Sequence, residues 1–280
     1  MAFYYIKQQT SNYFCSVQKA FDLDLGVMYM VYVTGDCHAD FRRFSTKNFP
    51  EQKEMTRDDT VIICGDFGGV WNGGSEEEWW LKWLSRKKFT LCFVDGNHEN
   101  FTRLNSEFPV VDFHGGKAHK IKANVFHLMR GYVFEFDGKK FWCFGGAQSH
   151  DICDGILDLY DFGSAKEFYD AIKQWSLAGK MFRINNVSWW KEELPSEEEM
   201  QRGRETLSEH RNKVDYIITH CPPQMVASCM GFKEPDIETL YFNEIAANTE
   251  FKRWVYGHLH YDWYGFNQFQ CIYERIERLI

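Results

Sequence analysis

The stretch Met30-Val31-Tyr32-Val33-Thr34-Gly35-Asp36-Cys37-His38 decides the fold. An apolar, β-branched run feeds directly into a Gly-Asp turn that ends on a histidine, which is how a buried strand opening into a loop reads. The pattern recurs. Val61-Ile62-Ile63-Cys64 precedes Gly65-Asp66-Phe67-Gly68, and Leu91-Cys92-Phe93-Val94 precedes Gly96-Asn97-His98-Glu99. Val214 to Thr219 leads into His220-Cys221, and Arg253 to Tyr256 into Gly257-His258-Leu259-His260. In open α/β sheets ligands bind just outside the carboxyl ends of the strands, so turns far apart in sequence converge there. A single Gly-Asp or a lone His220 would most often be an ordinary turn residue. Their conjunction, in this order, predicts a metal centre.

The ordered set GD-x-H, GD, GNH-[DE], a lone His and GH-x-H resembles the signature of the calcineurin-like metallophosphoesterases, from about Met28 to His260 with every position filled. The resemblance implies an α/β fold, a four-layer αββα sandwich of two mixed β-sheets flanked by helices. It also implies two divalent metal ions, with Asp36, His38 and His260 at one, Asn97, His220 and His258 at the other, and Asp66 bridging them. Carboxylate and amide oxygens suit Mn²⁺ or Mg²⁺, and the imidazoles extend the range to Fe, Zn, Co or Ni; manganese is the leading expectation. In such sites two metals about 3.5 to 4 Å apart clamp one phosphoryl group, and a bridging hydroxide attacks it in line with the leaving oxygen. By the same resemblance the catalytic residues are His98, which protonates the leaving group or stabilises charge, and Asp66. Glu99 is expected to accept a hydrogen bond that fixes a ring tautomer.

Departures from the pattern bear on substrate. The Ser/Thr protein phosphatases of this superfamily carry an Arg in GD-x-VDRG and another just before GNHE, where this chain has Gly65-Asp66-Phe67-Gly68-Gly69-Val70-Trp71 and Asp95. Without those two bidentate clamps, a dianionic monoester loses its main grip. The expectation is hydrolysis of phosphodiesters or small phosphoesters, with phosphomonoesters, phosphoproteins included, as the alternative. Arg42, Arg43 and Arg103 follow ligand loops and are candidate replacements. A non-catalytic interaction module on the same fold would show eroded ligands and no His98, and neither is seen. Of the other histidines, His114, His119, His127 and His210 read as surface or core residues, whereas His150, after Gly145-Gly146, is a candidate for the rim of the site, with a simple loop as the alternative. Trp71, Trp79, Trp80 and the 145–190 segment are candidates for the substrate pocket.

The 280 residues suffice for one large domain, expected over 28–280 with an excursion at about 145–210; residues 1–27 stand outside the resemblance as an N-terminal extension of unknown role. A net charge of -8 argues against sequence-independent binding of long nucleic acid, but bound metals would reverse that sign locally for a small phosphoester. Nine cysteines, several within strand-like runs, are expected to be reduced and mostly buried, in keeping with the cytoplasm. Cys37 and Cys221 sit beside proposed ligands without being needed as such. No stretch approaches the ~20 apolar residues that cross a bilayer, and the first twenty residues lack the apolar run of a signal peptide. Locally, a short helix is expected over Phe41 to Phe49, a helix capped by Ser75, and a hairpin at Asp137-Gly138. A helix is also expected to start at Ser196-Glu197-Glu198-Glu199 and run toward His210, with a final strand over Gln268 to Ile276.

Overall fold

The computed structural model describes residues 29–265 and 268–280, so the extension expected at 1–27 lies outside the described residues. The first half alternates strands and helices: β1 (Val31–Thr34), β2 (Thr60–Cys64), α1 (Ser75–Ser85), β3 (Thr90–Val94), α2 (Phe101–Ser106), β4 (Val110–Phe113), β5 (Gly116–Lys122) and β6 (Val125–Leu128). A hairpin of β7 (Tyr132–Phe136) and β8 (Lys139–Phe144) follows, then β9 (Gly155–Leu157), α3 (Ala165–Leu177), β10 (Phe182–Ile184) and α4 (Glu197–Glu209). The chain ends with β11 (Tyr216–Thr219), α5 (Gln224–Cys229), α6 (Ile237–Asn248), β12 (Arg253–Tyr256), β13 (Trp263–Gly265), β14 (Phe269–Cys271) and β15 (Glu277–Arg278).

Two mixed sheets form, in the orders β15-β1-β2-β3-β6-β5-β4 and β13-β14-β12-β11-β8-β7, while β9 and β10 pair separately. The central strands of each sheet are parallel and buried on both faces, which is why they read as continuous apolar runs rather than alternating ones. Alternate residues divide between layers. Val31, Val33, Ile62, Cys92, Val94, Phe141, Cys143, Ile218 and Val255 fill the space between the sheets. Val61, Ile63, Leu91 and Phe93 face outward onto Leu81 and Leu84 of α1, with Trp80 and Trp83 at its edge. Trp142, Phe144 and Trp254 face outward onto Met200 and Leu207 of α4 and Tyr241, Phe242 and Ile245 of α6. This is the four-layer arrangement expected from the resemblance.

Register then places the loops. Val33 lies opposite Ile62, and Ile62 opposite Cys92, so the turns after β1, β2 and β3 emerge side by side. In the second sheet Ile218 pairs with both Cys143 and Val255, aligning the turns after β8, β11 and β12. Six loops therefore share one end of the sandwich.

Local expectations met mixed outcomes. The hairpin forms at Asp137-Gly138, both with positive φ (48° and 67°), the mirror-image turn that matches strand twist. Helix α4 begins with a full capping box between Ser196 and Glu199. Ser75, by contrast, is not a cap: Gly74 is, without a side-chain bond, and the Glu77 carboxylate instead accepts the amides of Trp71, Asn72 and Gly73. Phe41 to Phe49 holds only a single 3-10 turn, Arg42–Phe44, with a second at Pro50–Lys53. Phe41, Phe44 and Phe49 all enter one core, and Pro50 keeps Phe49 out of the helical region, so no continuous helix can satisfy both demands. Of the strand expected over Gln268 to Ile276 only β14 forms, paired with β12, and just beyond it β15 pairs with β1 in the other sheet. The chain crosses between the sheets at this point and ties them together.

Candidate metal centre

Each loop at the shared end contributes polar side chains, and glycines make room for them. A Cβ on Gly65 would strike the His220 ring, one on Gly96 would strike Asp66 Oδ1 and His220 Nε2, and one on Gly257 would strike Asp36 Oδ1. Asp66, His38, His258 and His260 all have positive φ, between 45° and 64°, so four of the residues predicted as metal ligands are held in a backbone region that side chains rarely adopt. Backbone of that kind persists only where its surroundings over-determine it, and it clusters at working sites.

The side chains converge. His260 Nε2 lies 3.1 Å from both Asp36 Oδ2 and His38 Nε2, and His38 Nε2 lies 3.7 Å from Asp66 Oδ2. Asp66 Oδ1 accepts the backbone amide of His98 at 2.8 Å and stands 3.4 Å from His220 Nε2, which is in turn 3.3 Å from Asn97 Oδ1. Among the described residues, Asp36, His38 and His260 present ligand atoms within 4.8 Å of one another, as do His38, Asp66 and His98, and Asp36, Asp66 and His220. His258 joins through its amide, which donates to Asp36 Oδ1 at 3.0 Å, and its ring packs against that of His220. His150, which the sequence leaves open between the rim of the site and a simple loop, has Nε2 2.8 Å from His258 Nε2.

Charge in the centre is unbalanced in the way a cation would correct. Burial alone would raise the Asp66 carboxyl, but His220 beside it pulls it well below the carboxylate range. Burial opposes the charge on His220 too, yet Asp66 and then Asp36 raise it to about 10. A proton on His220 thus stands in for positive charge between buried carboxylates. His258 is pushed the other way by burial and by the neighbouring His220 and His150, so its ring is neutral with a lone pair to offer. Asp36 Oδ2 is buried and accepts no hydrogen bond, despite the nearby His260. An orphaned carboxylate oxygen and imidazole nitrogens facing each other at 2.8 and 3.1 Å are the donor set that divalent ions require, so the residues present fit the group.

Nearby residues have other tasks than sequence suggested. Glu99 is buried and accepts the amides of Phe67 and Gly68, bracing the Asp66 turn rather than fixing a histidine tautomer. Arg42 pairs with Asp40; Arg43 donates to the carbonyls of Gly35, Asp36 and Tyr273; Arg103 pairs with Glu77 and Glu107. None of the three replaces a phosphate clamp. Burial pushes the Cys37 thiol up to about 12 and raises that of Cys221, and neither sulfur belongs to the clusters of ligand atoms. Trp71 and Trp80 line a cavity of about 310 Å³ with His38, Phe41 and His98, whereas Trp79 is 56% exposed and is not part of its lining.

Sequence reasoning missed two groups. One is Ser149, whose Oγ takes a bond from Asn97 Nδ2 at 3.3 Å and donates to the buried Glu193 carboxylate at 2.6 Å. The other is Arg183 of β10, with Nη2 3.1 Å from His98 Nε2. Neither had a motif, and the only signal was the Gly145-Gly146 turn that brings the excursion back to the site.

Beneath the ligand loops lies a buried polar chain. His119 Nδ1 is 2.9 Å from His127 Nδ1, His127 Nε2 is 2.9 Å from Asp95 Oδ1, and Arg130 Nε donates to Asp95 Oδ2 at 2.8 Å. Burial first, and His127 second, lower the His119 pKa to about 4, with Asp95 opposing. A histidine depressed when folded binds its proton better when unfolded. Its contribution is therefore present above the unfolded value and is lost as pH falls from about 6.5 to about 4, by up to about 3 kcal/mol. Denaturant titrations at pH 7 and pH 4.5 should show a smaller loss in His119→Gln than in the wild-type chain; equal losses would refute this role.

The chain belongs to the calcineurin-like phosphoesterase family, whose model matches residues 29–262. The family is one of metal-dependent phosphoester hydrolases. Among known proteins the chain is similar to lariat debranching enzyme A of Xenopus laevis, at 27% identity over 144 residues. The match takes in 46% of this chain and 26% of that enzyme, so the chain corresponds to well under half of its relative. Among the described residues no helix is long and apolar enough to cross a membrane.

Proposed function

We propose that this chain hydrolyses phosphate esters with a pair of divalent metal ions, manganese first among the candidates, and that its substrates are phosphodiesters or other small phosphoesters. The observation that carries the proposal is that Asp36, His38, Asp66, His220 and His260 gather their ligand atoms beside an orphaned, buried Asp36 oxygen, with Asn97 against His220 and the His258 amide on Asp36. Asp36, His38 and His260 would hold one ion, Asn97, His220 and His258 the other, and Asp66 both. When bound, the ions supply Lewis acidity toward the phosphoryl oxygens and activate a water. His98, its backbone pinned by Asp66, offers its ring to the leaving oxygen. Glu99 holds the Asp66 turn rigid, and Ser149 orients the Asn97 amide so that its oxygen faces His220. The cavity walled by Trp71, Trp80 and Phe41 would take an apolar or planar group esterified to the phosphate. Family membership and the likeness to a lariat debranching enzyme support phosphoester hydrolysis, and the lack of both protein-phosphatase arginines supports the lean to diesters. The six buried free thiols among the described residues are in keeping with a cytoplasmic location.

The test compares bis-p-nitrophenyl phosphate with p-nitrophenyl phosphate on metal-stripped protein reloaded with Mn²⁺ or Ni²⁺, with His98→Ala as control. Metal-dependent turnover that favours the diester, and is at least about a hundredfold slower in His98→Ala, is expected. A strong preference for the monoester would overturn the substrate lean, and failure to bind metal would sink the whole reading.

A further inference from the structure

The excursion between β8 and α4 carries one arginine into the centre. Arg183 is 8% exposed, and its guanidinium is held at two of its three nitrogens: Nε donates to Asp151 Oδ1 at 2.6 Å and Nη1 to the Ser188 carbonyl at 3.1 Å. Asp151 directly follows His150, so the anchor belongs to the same loop that reaches His258. Only Nη2 is turned toward the ligand set, and it meets His98 Nε2 at 3.1 Å. Guanidinium groups donate and never accept, so His98 Nε2 accepts this bond. Two side chains 85 positions apart thus meet at one point, on the ring that the proposed chemistry turns toward substrate.

Burying an arginine here with one nitrogen directed only at an imidazole makes little sense as a brace, because Asp151 and Ser188 already fix it. It makes sense as a phosphate contact. We propose that Arg183 binds a non-bridging oxygen of the scissile phosphoryl group beside His98, and that it selects singly charged phosphodiesters. Its committed Nε and Nη1 are what deny the two-pronged grip that rewards a dianionic monoester. The excursion thereby supplies the cation that the ligand loops lack, since Arg42, Arg43 and Arg103 are engaged elsewhere. This inference rests on the phosphoesterase reading above.

The experiment uses the metal-loaded full chain and the variants Arg183→Ala, Arg183→Gln and Arg183→Lys, with bound metal and thermal melts measured on each. Binding of diethyl phosphate is followed by calorimetry, and KM and kcat are measured for the p-nitrophenyl diester and monoester. Arg183→Ala and Arg183→Gln should keep their metal, weaken diethyl phosphate binding about tenfold and raise KM for the diester by a similar factor, with partial recovery in Arg183→Lys. The monoester should suffer less, narrowing the preference. Unchanged diethyl phosphate affinity and KM with a reduced kcat would mean that Arg183 only positions His98, and would overturn the proposal. Equal losses on both esters would overturn its selectivity. If the wild-type chain binds metal but turns over neither ester, the parent reading fails. Diethyl phosphate binding would still decide this one: weakened in Arg183→Ala it stands, unaltered it falls.

Discussion

Asp66→Asn is expected to leave the chain folded, to lower its bound metal from two ions per chain to one or none, and to cut diester hydrolysis at least about a thousandfold. The substitution keeps the shape of the side chain, and asparagine tolerates the left-handed backbone (φ 47°) that this position requires. Its carbonyl oxygen can still accept the His98 amide, so the turn survives. What disappears is charge. Asp66 is the carboxylate nearest both His38 and His220, and holding two ions there would need the negative charge of its carboxylate. An amide offers one neutral oxygen, and its nitrogen would point toward a cation. Metal analysis, a melt and the diester assay on one preparation read all three expectations. Two retained ions with full turnover would show that Asp66 is not the bridging ligand.

Asp95→Asn is the second large effect, and it should appear as lost stability of about 3–5 kcal/mol. Asp95 is 1% exposed, and it pairs through one oxygen with Arg130, itself 3% exposed, and through the other with His127. Removing its charge strands a buried guanidinium. Glu199 at 3.4 Å and the Glu192 carbonyl at 2.8 Å remain, but neither replaces the lost carboxylate. For a domain of this size such a loss lowers the melting temperature by about 10 °C. The Asp95 carbonyl also accepts the Gly146 amide, so loosening it frees both the Asn97 and the His150 loops, and metal affinity should fall with stability. The double variant Asp95→Asn/Arg130→Met distinguishes the cause: with the orphaned charge gone, it should be more stable than Asp95→Asn alone. A cost below about 1 kcal/mol in the single variant would refute the account.

Much of this was legible in the order of residues because it is local. A buried parallel strand must be apolar on both faces, so Val31 to Thr34, Thr60 to Cys64 and Thr90 to Val94 stand out. A turn admitting Asp66 beside His220 must carry glycine, so Gly65 and Gly96 stand out as well. The Asp137-Gly138 hairpin and the Ser196 capping box depend on four or five neighbouring residues each, and both were read correctly. Where the reading missed, a distant partner had intervened. Glu77 satisfies the amides before α1 and leaves Ser75 without a capping task. Pairing of β15 with β1 pulls the end of the chain across to the other sheet and cuts the expected strand short after Cys271.

The sequence by itself determined the class of fold and the family, and it named seven candidate ligands, because the signature is written as short motifs at strand ends. Only the tertiary structure decided that Arg183 meets His98, that Ser149 steadies Asn97, and that His119, His127, Asp95 and Arg130 form one buried chain. Such pairings join residues 8 to 85 positions apart, and no local propensity or spacing encodes them. They exist because two sheets and an excursion fold over the same end of the sandwich, where burial makes an unpartnered charge more costly than any local preference.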